Sequence, residues 1–341
     1  MRQVISRTFV IAEAGVNHNG DPALARALVD VAAAAGADAV KFQTFHVDRL
    51  LTRRAAKADY QRRATGNDQS QYEMLARLEL SPADHEMLFA HCAAAGIEFM
   101  STPFDPESAR YLKGLGVRRL KISSGDVTNL PMLEVVGALG LPVVLSTGMA
   151  DLAEVEAAVA TLRAVGTTDL AVLQCVSNYP ADPALANLRV MDTFARAFGT
   201  PVGLSDHSTG LTVAIAAAAR GAAYIEKHFT LDRGLPGPDH QASLLPDELR
   251  ALVTAVRLVE AALGDGVKRP APSELPVRDV ARKSLVAARD LPGGAVLGRE
   301  DLDVLRPGTG LSPASLPAVI GRRTARAIAH HTPITEDMLQ S

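Results

Sequence analysis

The sequence predicts a (β/α)8 TIM barrel followed by a small β-rich module. Eight short apolar runs alternate with eight Ala/Leu-rich stretches of helical spacing over about 260 residues. Each run closes on polar residues, as buried parallel strands do where they reach a rim. The alternation then stops near Gly264, in a Pro-rich stretch of mixed charge. A doubly wound open sheet is the competing arrangement, but no Gly-rich dinucleotide turn follows the first run.

The runs are FVIAEA (9–14), DAVKFQT (38–44), IEFMST (97–102), RLKISS (119–124), PVVLST (142–147), LAVLQCVS (170–177), PVGLSD (201–206) and AAYIEKHF (222–229). The first helix starts at Asp21, a natural N-cap, with Pro22 in its first turn and Gly36 as its stop. SPADHEMLFAHCAAAG (81–96) carries the same punctuation, and further helices are expected near Pro106, Leu130, Leu152, Asn187, Gly210 and Pro246. Between Phe45 and Leu80 a polar insertion separates the second strand from its helix. Loops of that length on a barrel's C-terminal face serve as lids or substrate walls. The expected boundaries are a barrel over residues 1–264, a linker over 265–282 and a module over 283–341. A core that small is marginal, so docking onto another surface is expected.

Composition narrows the function. The chain is 48% hydrophobic but only 4% aromatic, so Ala, Val and Leu fill its core. A net charge of −3 gives no basic excess for phosphate backbones, and no nucleic-acid partner is expected. Arg53-Arg54, Arg62-Arg63 and Arg322-Arg323 read as solvated faces. Cys92 and Cys175 are too few for a disulfide framework or a cysteine zinc site and suit a reducing cytoplasm. The opening MRQVISRTFVIAEAG is interrupted by Glu13 and does not read as a signal peptide, and no run approaches a bilayer span. A cytoplasmic protein with no membrane partner is expected.

The strand tips carry the chemistry. At a barrel's C-terminal rim they converge on one pocket. Here they supply Glu13 and Asn17, Lys41 and Gln43, Ser101 and Thr102, then Lys121, Ser123 and Ser124. The remaining tips add Ser146 and Thr147, Ser177 and Asn178, Ser205, Asp206 and His207, and Glu226 and His228. Two lysines inside a barrel are costly to bury unless an anion meets them. Hydroxyls from successive strands suit phosphate oxygens. His207 and His228, on consecutive strands, could hold a divalent metal with positions left open for substrate and water. Together these describe a site for a small phosphorylated acid.

With these residues in place the chain resembles the sialic acid (N-acetylneuraminate/nonulosonate) synthase family. The resemblance rests on IAEAGVNHNG (11–20), KFQTF (41–45), STPFD (101–105), KISSGD (121–126), LSTGM (145–149), SNYP (177–180), GLSDH (203–207), EKHFTLD (226–232) and GPDH (237–240). The tail, with KSLVAARDLPGGAVL and RPGTGLSP (306–313), resembles the antifreeze-like (SAF) module of these enzymes. The resemblance implies condensation of phosphoenolpyruvate with an N-acyl mannosamine-type sugar, releasing phosphate by C–O cleavage. A 2,4-diacetamido-6-deoxy sugar, giving a legionaminic-type acid, is the alternative substrate. It implies a divalent ion, Mn²⁺ foremost with Mg²⁺ or Co²⁺ as alternatives, on His207 and His228.

Phosphoenolpyruvate contacts would fall on Lys41, Lys121, Thr102, Ser124, Ser146, Ser177 and Ser205. Glu13 would serve as general base. Gln43, Asp126, Tyr179 and Asp239 would meet the sugar, and Arg306 would reach its N-acyl group from a partner subunit in a domain-swapped homodimer. Departures from the family pattern fall at Asp126, where many bacterial members carry Glu, at Ser177, where some carry Asn, and at RPGTG in place of RPGNG. Synthases of seven- or eight-carbon keto acids lack the tail. A carbohydrate-binding protein without catalysis would leave Lys41, Lys121 and both histidines unexplained.

Overall fold

The computed structural model describes residues 7–65 and 70–340; the start of the chain, read above as no signal peptide, and the side chain of Arg63 lie outside the described residues. Two compact units divide at Gly264/Asp265.

The first unit is a barrel of eight parallel strands: β1 (Phe9–Gly15), β2 (Ala39–Thr44), β3 (Glu98–Pro103), β4 (Leu120–Ile122), β5 (Val143–Ser146), β6 (Leu170–Cys175), β7 (Val202–Asp206) and β8 (Tyr224–His228). Their order is β3-β2-β1-β8-β7-β6-β5-β4, and β3 lies beside β4 without a registered ladder, so the ring is nearly closed. Six strands fall inside the runs that predict them, and β1 and β3 run one residue past theirs, to Gly15 and Pro103. The fourth is shorter than expected because Ser123 turns the chain, its Oγ accepting from the Gly125 N–H at 3.2 Å, into a 3-10 turn over Ser124–Asp126.

Strand alternation sorts the side chains. Outward positions such as Val10, Val40, Val172, Leu204 and Ile225 pack under the helices with Leu28, Leu88, Leu133 and Leu252. Each such fully buried side chain contributes roughly 1.5–3 kcal/mol. Inward positions stack in layers. At the bottom, Arg119 forks onto Glu98 (2.7 and 3.2 Å), donates to the Tyr224 hydroxyl (2.9 Å) and lies over the Phe9 ring (4.2 Å). Ile11, Ala39 and Met100, with Val144, Ala171 and Leu173 opposite, fill the middle. The top layer is polar.

Helix Pro22–Ala34 starts where its cap predicts, with Asp21 accepting from the Ala23 N–H at 2.8 Å. Helix Pro82–Ala95 opens on a Ser81–Asp84 capping box and ends at Gly96 in the left-handed region. The helices expected near Asn187 and Gly210 begin instead at Val190 and Thr212, without side-chain caps. The long insertion is partly helical, with short helices at Val47–Leu50, Asp59–Thr65 and Gln71–Ala76.

The second unit spans Asp265–Ser341. The stretch read as a linker carries a short helix, Leu275–Ala281. Beyond it β9 (Ser284–Ala287) pairs antiparallel with β10 (Leu302–Leu305), and isolated bridges such as Leu291 with Ile328 complete the layer. Leu285, Leu297, Leu302, Val319, Ile328 and Ile334 form its core. Ser284 Oγ donates to the Pro307 carbonyl (2.7 Å) and accepts from the Gly310 N–H (2.8 Å). This one hydroxyl pins both sides of the RPGTG turn that bears the exposed Arg306.

Candidate active site

The polar top layer opens into a cavity of 410 Å³ at the C-terminal ends of the strands. Larger hollows lie elsewhere, one of 530 Å³ beside His46 and Tyr111, but no lysine lines that one. In the rim cavity the strands deliver Glu13, Lys41, Thr102, Lys121, Ser146, Cys175, Ser205 and Glu226 to one floor. Gln43, Ser124, Ser177, Tyr179, His207 and His228 line the wall above it. The insertion adds Ala58 and Gln71, so part of it lines the cavity.

The floor is a buried charge network. Lys41 Nζ lies 2.8 Å from Glu13 Oε2 and 3.8 Å from Glu226 Oε2, and donates to Thr102 Oγ1 at 2.9 Å. Lys121 Nζ lies 3.7 Å from Glu226 Oε1, which also accepts from Ser205 Oγ at 3.0 Å. Burial lifts the Glu13 carboxyl to about 7, against the pull of Lys41. Burial acts the same way on Glu226, but Lys121 and Lys41 outweigh it and hold that carboxyl below its usual range. Burial lowers Lys121. Two cations therefore face one firm carboxylate and one half-ionised group, which leaves the floor receptive to an anion.

Buried polar atoms without a hydrogen-bond partner are rare in proteins and call for a ligand or water. Ser146 Oγ and His228 Nδ1 are such atoms, and both belong to residues of this cavity. Gly148 keeps its upper wall open, since a Cβ there would stand 2.2 Å from Ser177 Oγ and 3.0 Å from Ser124 Oγ.

The imidazoles of His207 and His228 lie 5.3 Å apart between ring centroids. Tyr179 covers both, with its ring centroid 4.0 Å from His207 and 5.5 Å from His228. His207 Nδ1 donates to the Val176 carbonyl at 2.8 Å, which leaves Nε2 without a hydrogen bond. Against burial, Cys175 and that carbonyl raise the imidazole above its usual range, so a metal there would displace its remaining proton. Burial and the neighbouring His207 and Lys41 charges push His228 well below its usual range, so it is neutral. An Nε2 without a hydrogen bond and a buried, partnerless Nδ1 on adjacent strands fit a divalent cation. Among the described residues no group of three or more His, Cys, Asp or Glu gathers for a metal. Such an ion would keep positions for water and substrate.

Two expected residues stand off the cavity wall. Asp126 is half-buried, raised by burial, and accepts from Asn129 Nδ2 at 3.0 Å. Asp239 is buried and lifted to about 6 by desolvation. Arg306 belongs to the second unit. Conversely, Glu226 and Cys175 line the cavity, and Gly148 donates its N–H to the cavity residue Ser124 at 2.8 Å; the sequence reading gives none of them a role. Strand alternation signals the first, because two residues before an inward His228 must also point inward.

A model of the NeuB family matches residues 28–268, and a SAF domain matches 282–340. The chain is 46% identical to the N,N'-diacetyllegionaminic acid synthase of Legionella pneumophila, covering 98% of this chain and 95% of that one. It is 43% identical to the Campylobacter jejuni enzyme of the same name, covering 93% and 96%. Among solved structures, the N-acetylneuraminic acid (sialic acid) synthetase of Leptospira borgpetersenii superposes with a TM-score of 0.71 at 36% identity, covering 80% of this chain and 90% of that one. With its barrel and its second unit so matched, this chain belongs to the NeuB family.

Proposed function

We propose that the chain is a nonulosonic acid synthase that condenses phosphoenolpyruvate with an N-acyl mannosamine-type sugar aldehyde and releases phosphate. The observation that carries this reading is the meeting of Lys41, Lys121 and two metal-competent imidazoles in one buried cavity. Within the class, a 2,4-diacetamido-6-deoxy sugar is favoured. The relatives named for N,N'-diacetyllegionaminic acid are 46% and 43% identical, whereas the mouse N-acetylneuraminate-9-phosphate synthase is 33% identical.

In this reading Lys41 and Lys121 bind the carboxylate and phosphate of phosphoenolpyruvate, helped by the hydroxyls of Thr102, Ser124, Ser146, Ser177 and Ser205. His207 and His228 would hold a divalent ion, Mn²⁺ foremost, which when bound polarises the sugar aldehyde as a Lewis acid. Carbon 3 of phosphoenolpyruvate forms the new bond to the aldehyde carbon. Water adds to carbon 2, Glu13 takes its proton, and the C–O bond to phosphate breaks. A carboxyl near 7 is poised for that proton transfer. Gln43 and Tyr179, which line the cavity, orient the sugar. Arg306 meets its N-acyl group from the partner of a domain-swapped homodimer.

The test is phosphate release from phosphoenolpyruvate with Mn²⁺ and a panel of sugars, with and without chelator. Turnover that needs both the diacetamido sugar and the ion is expected. No release with any acylated mannosamine would refute the synthase reading, and full activity in excess chelator would remove the metal.

A further inference from the structure

The β7–β8 ladder ends on two polar rungs, and His207 and His228 follow just beyond it. Ser205 pairs with Glu226 on the inward face, and their side chains meet at 3.0 Å inside the cavity. Asp206 pairs with Lys227 on the outward face, and there the side chains form an ion pair at 2.7 Å. Both histidines face inward again. The outward rung lies outside the cavity and touches no substrate-facing group. It is nevertheless fully buried, with Lys227 1% and Asp206 4% exposed.

Burying two charges behind a barrel wall gives little net stability, because desolvation cancels most of the attraction. The arrangement does give geometry. Asp206 Oδ1 accepts from both the N–H (2.9 Å) and the hydroxyl (2.7 Å) of Ser208, folding the chain tightly around His207. Lys227 Nζ donates to the Ser208 carbonyl as well as to Asp206 Oδ2. The residue before His228 thus grips the residues on both sides of His207. On the far side, the His207 carbonyl accepts from the Ala181 N–H at 2.9 Å, and the His228 carbonyl accepts from the Leu244 N–H at 2.9 Å.

We propose that Asp206 and Lys227 are positioning residues that set the spacing of His207 and His228 and so the affinity of the divalent-ion site. This rests on the metal reading above. A pair kept only for stability could be replaced by apolar residues of similar size with little loss, whereas a pair that fixes two ligands could not.

The experiment is Mn²⁺ titration, followed by the spectrum of free Mn²⁺, on the full-length chain and on the double variant Asp206→Leu/Lys227→Met. Melting temperature is measured alongside. The double variant is expected to keep a cooperative melt while binding Mn²⁺ at least about tenfold more weakly, the scale seen when groups that orient metal ligands are lost. The milder Asp206→Asn retains an oxygen for Ser208. It should fold even if the double variant does not, and should lose several-fold affinity. Mn²⁺ bound as tightly by the folded variants as by the wild type would overturn the inference and leave the metal reading intact. A wild-type chain that binds no Mn²⁺ would overturn both.

Discussion

Glu13→Gln isolates the proton chemistry of the site. The carboxyl is buried in the cavity floor and lifted to about 7, with Lys41 opposing the shift. The deprotonated form is the working base, so activity should fall as pH drops through about 7 rather than through the ordinary range near 4.5. One unit either side of that midpoint the ionised fraction passes from about one tenth to about nine tenths, so kcat/KM should rise roughly tenfold between about pH 6 and about pH 8. Glutamine keeps the shape and cannot take the proton. The variant should lose at least ~10²-fold in kcat and lose this limb of the profile. Phosphate release at saturating metal, measured across that interval for both proteins, is the assay. Ionisation of phosphoenolpyruvate itself affects both equally, so the difference between the profiles belongs to residue 13. A wild-type rate flat across the interval, or a Gln variant with the same limb, would refute the assignment of the base.

Gly148→Ala should force Ser177 Oγ aside, because the new methyl would stand 2.2 Å from it. The hydroxyl can rotate away, so the melting temperature should shift by only a few degrees. The KM for phosphoenolpyruvate should rise by about tenfold or more, the worth of one hydrogen bond to a charged group. An unchanged KM would separate Ser177 from the substrate. Arg306→Ala should depress turnover of the acylated sugar without weakening phosphoenolpyruvate binding. Mixing it with Glu13→Gln under subunit exchange should restore about a quarter of wild-type activity, since half the dimers are mixed and half their sites are sound. No restoration would mean that each module serves its own barrel.

Much of the site is legible in the sequence because a barrel strand is a simple device. Its end is marked by the switch from apolar to polar residues, and its alternation says which side chains face the axis. That logic brings Lys41, Lys121, Ser205, His207 and His228 into one cavity from four separate strands. It works less well once a strand has ended. Asp126 closes a 3-10 turn and Asp239 sits in a loop beyond β8, where no period fixes direction, and neither lines the cavity. The insertion is harder still. Its short helices and the placement of Gln71 over the floor depend on packing between distant segments. Gly148 escapes notice for another reason. Its value lies in the absence of a side chain, which only the positions of Ser124 and Ser177 reveal.

Tyr179 makes the site visible to light. The chain has no Trp and five Tyr, so its emission comes from few rings, and one of them stacks 4.0 Å from His207. A paramagnetic ion held between His207 and His228 would sit within a ring's width of that fluorophore and open a path for its excitation to decay without light. Mn²⁺ should therefore dim the tyrosine emission, whereas closed-shell Mg²⁺ in the same place should not. Replacing Tyr179 by Phe should abolish the difference. The unmodified protein would then report which ion it holds before any substrate is added.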